Sequence, residues 1–176
     1  MSLVLYRGDT EIGRNDYYYR TFYTDVRPGT YRAVMTVDRT TPGWEFSRST
    51  RTEWTFGVTE SQVNRTIPAP RLAYDVPVDL RNRVGGGEEQ TLTVRATPQR
   101  ADDPAVTAVR TWISYDDGTT WTRLRLRPTD AAGEFTATVR LPRAETSSGY
   151  VTLRTEAVDA SGNRIDQTVE RAFGLK

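Results

Sequence analysis

Neither histidine nor cysteine occurs anywhere in the 176 residues. With no imidazole, the serine–histidine and cysteine–histidine nucleophile systems are excluded, together with most zinc sites; with no thiol, so is any disulfide. Lysine is almost missing too: Lys176 is the single one, and the other 23 of the 24 basic residues are arginine. That skew matches the codon bias of a high-GC genome. The functional alternative is a surface built for carboxylate or phosphate recognition. No stretch of about 18 apolar residues is present, so no membrane span is expected. Nor does charge of one sign accumulate. Nine arginines face eight acids through Pro70, and fourteen arginines and one lysine face fifteen acids after it. A nucleic-acid partner therefore has no electrostatic footprint to hold.

Helical patterning is also scarce. Apolar residues rarely recur at i, i+3, i+4 and i+7, whereas short alternating runs rich in Thr, Val, Tyr and Trp fill the chain. Leu3-Val4-Leu5-Tyr6 leads into the turn Arg7-Gly8-Asp9-Thr10. Residues 31–37 alternate after Pro28-Gly29, and Trp54 and Phe56 alternate in residues 51–57. The spacing predicts further strands over 76–80, 90–96, 109–114, 120–127, 133–141, 150–159 and 163–173. Seven short strands in about 100 residues is the grammar of an immunoglobulin-like or fibronectin-like sandwich. The expected class is all-β: one or two antiparallel β-sandwiches in tandem.

The best boundary lies in residues 61–70, where Ile67-Pro68-Ala69-Pro70 forms a stiff connector. It divides the chain into a small N-terminal β-sandwich over 1–66, complete or lacking strands, and an immunoglobulin-like one over 67–176. Gly85-Gly86-Gly87 joins strands rather than domains. A faint repeat accompanies this division: residues 29–37 resemble 133–141, and Arg51-Thr52-Glu53 resembles Arg154-Thr155-Glu156. Two related units and ordinary compositional likeness explain it equally.

The sharpest motif is Ser114-Tyr115-Asp116-Asp117-Gly118-Thr119-Thr120-Trp121, which matches the S-x-D-x-G-x-T-W pattern of an Asp-box. Its expected role is structural. Asp116 accepts backbone N–H bonds, Gly118 takes a positive φ, and Trp121 plugs the adjacent core, with Ser114 and Thr120 closing the turn. A propeller would need several copies, and there is one. Calcium is the only metal considered: Asp116 and Asp117 would meet Asp159 and Asn163 if the two hairpins shared an end. No EF-hand loop is present, so the expectation is no cofactor. Acid pairs for glycoside hydrolysis lack a cleft-forming loop, and Asp102-Asp103-Pro104 reads as a solvated turn. No catalytic residue is assigned.

Tyr17, Tyr18 and Tyr19, with Phe22 and Tyr23, place aromatic area on both faces of a strand. One set should fill the core; the other is a surface contact, to a neighbouring domain or to sugars. Trp44, Trp54, Trp112 and Trp121 are expected in the core. Asn64-Arg65-Thr66 fits a glycosylation sequon and carries little weight.

Several stretches together resemble the C-terminal region of large secreted subtilisin-like serine peptidases of actinobacteria. They are residues 8–16, the strand Ser49-Thr50-Arg51-Thr52-Glu53-Trp54-Thr55-Phe56, residues 74–82, and the closing run 151–175 with Ala157-Val158-Asp159-Ala160-Ser161-Gly162-Asn163. The resemblance implies an exported parent hydrolase whose Asp–His–Ser domain lies upstream and is this region's partner in cis. None of those catalytic residues carries over, because this chain has no histidine. Met1-Ser2-Leu3 enters polar sequence with no apolar export segment, so any such signal is expected upstream. The role implied is accessory: stabilising or positioning the peptidase, or docking onto protein substrate or a cell-envelope polymer. The rival reading is a carbohydrate-binding module of a glycan-degrading enzyme, stacking sugars on residues 17–23. A third, a self-contained hydrolase, has no residues to support it.

Overall fold

The computed structural model describes residues 1–17, 26–39, 41–63 and 69–176, and within them the chain is an antiparallel β-sandwich. Thirteen strands follow in order. They are β1 (Ser2–Arg7), β2 (Thr10–Asn15), β3 (Gly29–Asp38), β4 (Ser49–Val58), β5 (Arg71–Asp75), β6 (Arg83–Val84) and β7 (Glu89–Thr97). Then come β8 (Val106–Ser114), β9 (Thr122–Arg123), β10 (Arg127–Pro128), β11 (Glu134–Arg140), β12 (Tyr150–Asp159) and β13 (Arg164–Leu175). No helix among the described residues is long and apolar enough to cross a membrane.

One sheet has nine strands in the order β2-β1-β3-β4-β13-β12-β8-β9, with β6 alongside the end of β13. The other has four, β10-β11-β7-β5. Among the described residues only the short β6·β13 ladder is parallel. The strands before residue 66 therefore continue the sheet of the later strands, because β4 pairs with β13 from Thr50↔Val169 to Thr55↔Arg164. The expected connector at 61–70 and the sequon lie largely outside the described residues, which omit 64–68.

Alternation decides what each face does. Leu153, Ile113, Phe173 and Leu175 of the large sheet bury against Leu92, Val94 and Ala137 of the small one, forming the main core. Each such Leu, Ile, Val or Phe side chain contributes roughly 1.5–3 kcal/mol on leaving water. A second cluster, on the β1–β4 flank, has only Tyr31, Ala33 and Phe56 fully buried, with Leu3, Leu5, Ile12 and Trp54 half-covered around them. A third, of Ala96, Ala157 and Ile165, meets Trp54, and a polar row crosses β4, β13, β12 and β8, in which Thr52, Thr155 and Thr111 are all wholly buried. Gln167 Nε2 donates to Thr52 Oγ1 at 2.9 Å, and the hydroxyls of Thr111 and Thr155 share a bond of 3.0 Å.

The repeated Arg-Thr-Glu triplets fall on either side of β13. Arg51 and Arg154 both stand opposite Thr168, and Glu53 and Glu156 both stand opposite Asp166. Their outward-facing charges close into Arg51–Glu53 (2.7 Å), Arg154–Glu156 (2.9 Å) and Arg154–Asp166 (2.7 Å) pairs. The likeness of 29–37 to 133–141 has no such counterpart, since β3 and β11 belong to different sheets.

Two expected strands are corrected. Residues 76–80 form no ladder. Pro77 lacks an N–H, and the Asp79 carboxylate accepts from the backbone of Arg81 (2.9 Å) and Arg83 (3.0 Å), turning the chain. The strand expected over 120–127 is split, because the chain crosses between layers there: β9 joins β8, and β10 joins β11. The glycine run at 85–87 is set by packing. A Cβ on Gly86 would lie 2.5 Å from the Pro142 carbonyl oxygen.

Candidate functional site

The Asp-box folds as a closed turn after β8. Ser114 Oγ donates to Asp116 Oδ1 (2.7 Å) and accepts from Gly118 N (2.9 Å). Asp116 Oδ1 also accepts from Thr120 N (2.9 Å), and Asp116 Oδ2 from the Thr120 hydroxyl (2.6 Å). Three of these bonds end on the one carboxylate and hold the turn closed. The Thr120 hydroxyl and backbone, then Ser114, hold the Asp116 carboxyl down at about 2. Gly118 takes φ +90°, and Trp121 Cζ2 would be 3.4 Å from a Cβ placed there. Trp121 is half-buried across its own turn and is not among the side chains packed on the main core.

The next residue of that turn reaches elsewhere. Asp117, at φ +55°, holds Arg171 in a two-point pair: Nε to Oδ1 at 3.0 Å and a terminal nitrogen to Oδ2 at 2.7 Å. That bond raises the Arg171 pKa, with burial opposing it. Arg171 sits in a bulge where three residues of β13 stand against one of β12, between Val151↔Phe173 and Leu153↔Val169. Its own φ is +52°. The bulge exposes backbone groups, and neighbouring loops satisfy them. Ser47 N donates to the Arg171 carbonyl (2.9 Å), and Asn82 Nδ2 to that of Ala172 (3.0 Å). Ser47 and Asn82 also have positive φ, +49° and +56°.

All four non-glycine residues with left-handed backbone among those described thus meet around one bulge. Such conformations cost on the order of 1–3 kcal/mol each and persist only where surrounding structure enforces them; they concentrate at functional sites. On this scaffold sits an aromatic and guanidinium cluster. The Arg171 guanidinium lies 4.3 Å from the Tyr150 ring centroid, and Phe46 meets Tyr150 edge-on at 6.1 Å. Arg83 lies over both rings and pairs with Glu45, which also accepts from the Tyr150 hydroxyl at 2.8 Å. The loop 41–48 that carries Phe46 also carries Trp44, whose ring faces Arg39 at 5.6 Å. A shallow concavity runs along this loop, lined by Arg39, Gly43, Trp44, Glu45, Phe46 and Ser47.

Trp44 is 58% exposed, so the expectation that it fills the core is corrected. Its loop stands off the sheet on the bulge, and no layer covers it. Trp54 does pack inward between two clusters, donating from Nε1 to the Pro70 carbonyl at 3.3 Å. Trp112 is half-buried on the outward face beneath Arg154. Of the expected surface tyrosines, Tyr17 is 49% exposed at the end of β2. Tyr18, Tyr19, Phe22 and Tyr23 lie outside the described residues.

The condition set for calcium is not met. Thr152 pairs with Ser114 and Asp159 with Val106, so the Asp116 and Asp159 turns lie at opposite ends of β8 and β12. Asp159 is instead consumed by Ser161 N, Asn163 N and Asn163 Nδ2, at 2.8–2.9 Å. Among the described residues, no three carboxylates gather into a metal-binding group. Asp102 and Asp103 sit in an exposed turn beside Arg100, as expected.

The cluster was missed at sequence level because its members come from five separate segments. The one local signal was Trp44-Glu45-Phe46 between Pro42-Gly43 and Ser47, an aromatic pair in a turn rather than in an alternating run.

No family model matches the chain, and no curated protein matches it either. Among solved structures, the sulfane dehydrogenase SoxCD of Paracoccus pantotrophus is similar over 56% of this chain, at 19% identity and a TM-score of 0.36. The match spans 23% of that chain.

Proposed function

We propose that this chain is a non-catalytic accessory β-sandwich of a secreted subtilisin-like peptidase, acting by surface contact at the end of the sandwich built on the β13 bulge. One observation supports the docking role above others: four left-handed non-glycine residues hold a half-buried aromatic–arginine cluster in a fixed shape beside the exposed indole of Trp44. A rigid surface loses little conformational entropy on binding, and aromatic and arginine side chains are those that anchor interfaces. The link to an exported peptidase rests on the sequence resemblance alone. A second reading, carbohydrate binding, is favoured by the exposed indole of Trp44, a candidate platform among the described residues besides Tyr17.

Co-sedimentation of the purified chain with an insoluble protein substrate and with bacterial wall sacculi tests the docking role. Retention by either, abolished in Trp44→Ala, is the expected result. Equal retention of wild type and Trp44→Ala moves docking to another surface. Hydrolysis of peptides by the purified chain removes the non-catalytic reading altogether.

A further inference from the structure

The charge around loop 41–48 is uneven. Arg83 and Arg171 are each matched by a carboxylate, Glu45 and Asp117. Arg39 and Arg48, which face each other across the base of the same hairpin, have no carboxylate partner among the described residues. Arg39 spends one terminal nitrogen on the Ser47 carbonyl at 3.0 Å and keeps its other donors. Its guanidinium lies over the Trp44 ring, and more than half of that side chain is open to solvent. An indole for stacking and a guanidinium with spare donors beside it therefore share one concavity of 520 Å³, with Arg48 at the base of the same hairpin. That volume suits one or two sugar rings and falls within the roughly 300–1,000 Å³ of ligand clefts in general.

We propose that this concavity binds a sugar polymer carrying carboxylates, of the uronate type. A pyranose ring stacks on Trp44, and its carboxylate takes the free donors of Arg39, with Arg48 adding long-range attraction. A guanidinium meets a carboxylate in a planar, two-point geometry that a neutral hydroxyl does not offer. The Glu45 carboxylate, held by Arg83 and Tyr150, accepts from ring hydroxyls rather than repelling the ligand, since its charge is already neutralised. The site rests on the docking reading above, but not on any link to a peptidase.

Affinity electrophoresis of the full chain through polygalacturonate, methyl-esterified pectin and poly-glutamate tests it. Retardation by polygalacturonate is expected, weakening as salt rises. Trp44→Ala should weaken it roughly tenfold or more, and Arg39→Gln by a similar factor, each about 1.4 kcal/mol. Tyr17→Ala should leave it unchanged. Trp44 and Arg39 lie at the surface, and an unchanged thermal midpoint confirms the fold in both variants; Trp44→Phe, keeping a ring, should retain part of the binding. Equal retardation by the esterified polymer overturns the carboxylate claim, and equal retardation by poly-glutamate overturns the stacking claim. No retardation by polygalacturonate, with sedimentation on walls or protein intact, overturns this inference and spares the docking role; failure of both removes both.

Discussion

The sandwich proper and the β1–β4 flank share one sheet but bury themselves differently. Around β13, β12 and β8 a second sheet covers the inner face, and eleven side chains form a closed apolar core. On the flank, three fully buried residues do that work, and the large sheet simply runs on. Half-covered Leu3, Leu5 and Trp54 line an apolar groove with Ala69 and Gln99. A flank so lightly covered takes its stability from its attachment to β13, not from a core of its own. The polar row crosses the join at Thr52 and Gln167 and runs on into the sandwich through Thr155 and Thr111.

That contrast can be broken at several points. The largest effect is expected from Leu153→Ala, in the covered core: a loss of about 2–5 kcal/mol in chemical denaturation, felt by every probe. Next is Asn163→Ala. Asn163 is buried, and its side-chain carbonyl accepts from Gly57 N at 3.1 Å, tying β4 to the β12–β13 turn. Its loss should cost about 1–3 kcal/mol, and hydrogen exchange should rise in β3 and β4 before it rises in β12. Uniform exchange across both regions would show that the flank is not a separate cooperative unit.

A smaller effect, of either sign, is expected from Tyr74→Phe. The Tyr74 hydroxyl is buried with no hydrogen-bond partner among the described residues, and the nearby Thr155 hydroxyl is already shared with Thr111. Burial pushes the phenol up to about 12, against an ordinary 10. Because the folded value is the higher one, its contribution is complete below pH 10 and is lost as pH rises from 10 through about 12. Tyr74→Phe should therefore change stability by less than about 1 kcal/mol at neutral pH and flatten the alkaline limb of a thermal scan. Smallest is Asp116→Asn. The folded carboxyl titrates at about 2, below the ordinary 3.8, so its contribution is present above pH 4 and disappears as pH falls toward 2. The variant should lose that acid dependence and leave the flank untouched.

Much of the sandwich was legible in the chain. Residues 150–159 read as a strand and are one, because Val, Leu, Thr and Ala alternate there without Gly or Pro. The Asp-box read as a turn, since the bonds of Ser114 and Asp116 that close it are local, within four residues of one another. Long-range arrangement was not legible. That β13 pairs with β4 as well as β12 depends on partners more than 100 residues apart, such as Thr52 and Gln167. The exposure of Trp44 depends on a bulge whose positive-φ residue is an arginine, where composition gives no warning. The same holds for 76–80, where alternation suggested a strand and one Asp carboxylate turned the chain.

The position of β13 in the sheet has a consequence for how the protein is made. It is last of the thirteen strands in sequence, yet it sits between β4 and β12 near the middle of the larger sheet. During synthesis the first four strands must wait, for more than a hundred further residues, before their main anchor leaves the ribosome. Until then the hydrogen-bonding edge of β4 is open, and unpaired edges are where nascent β-proteins aggregate.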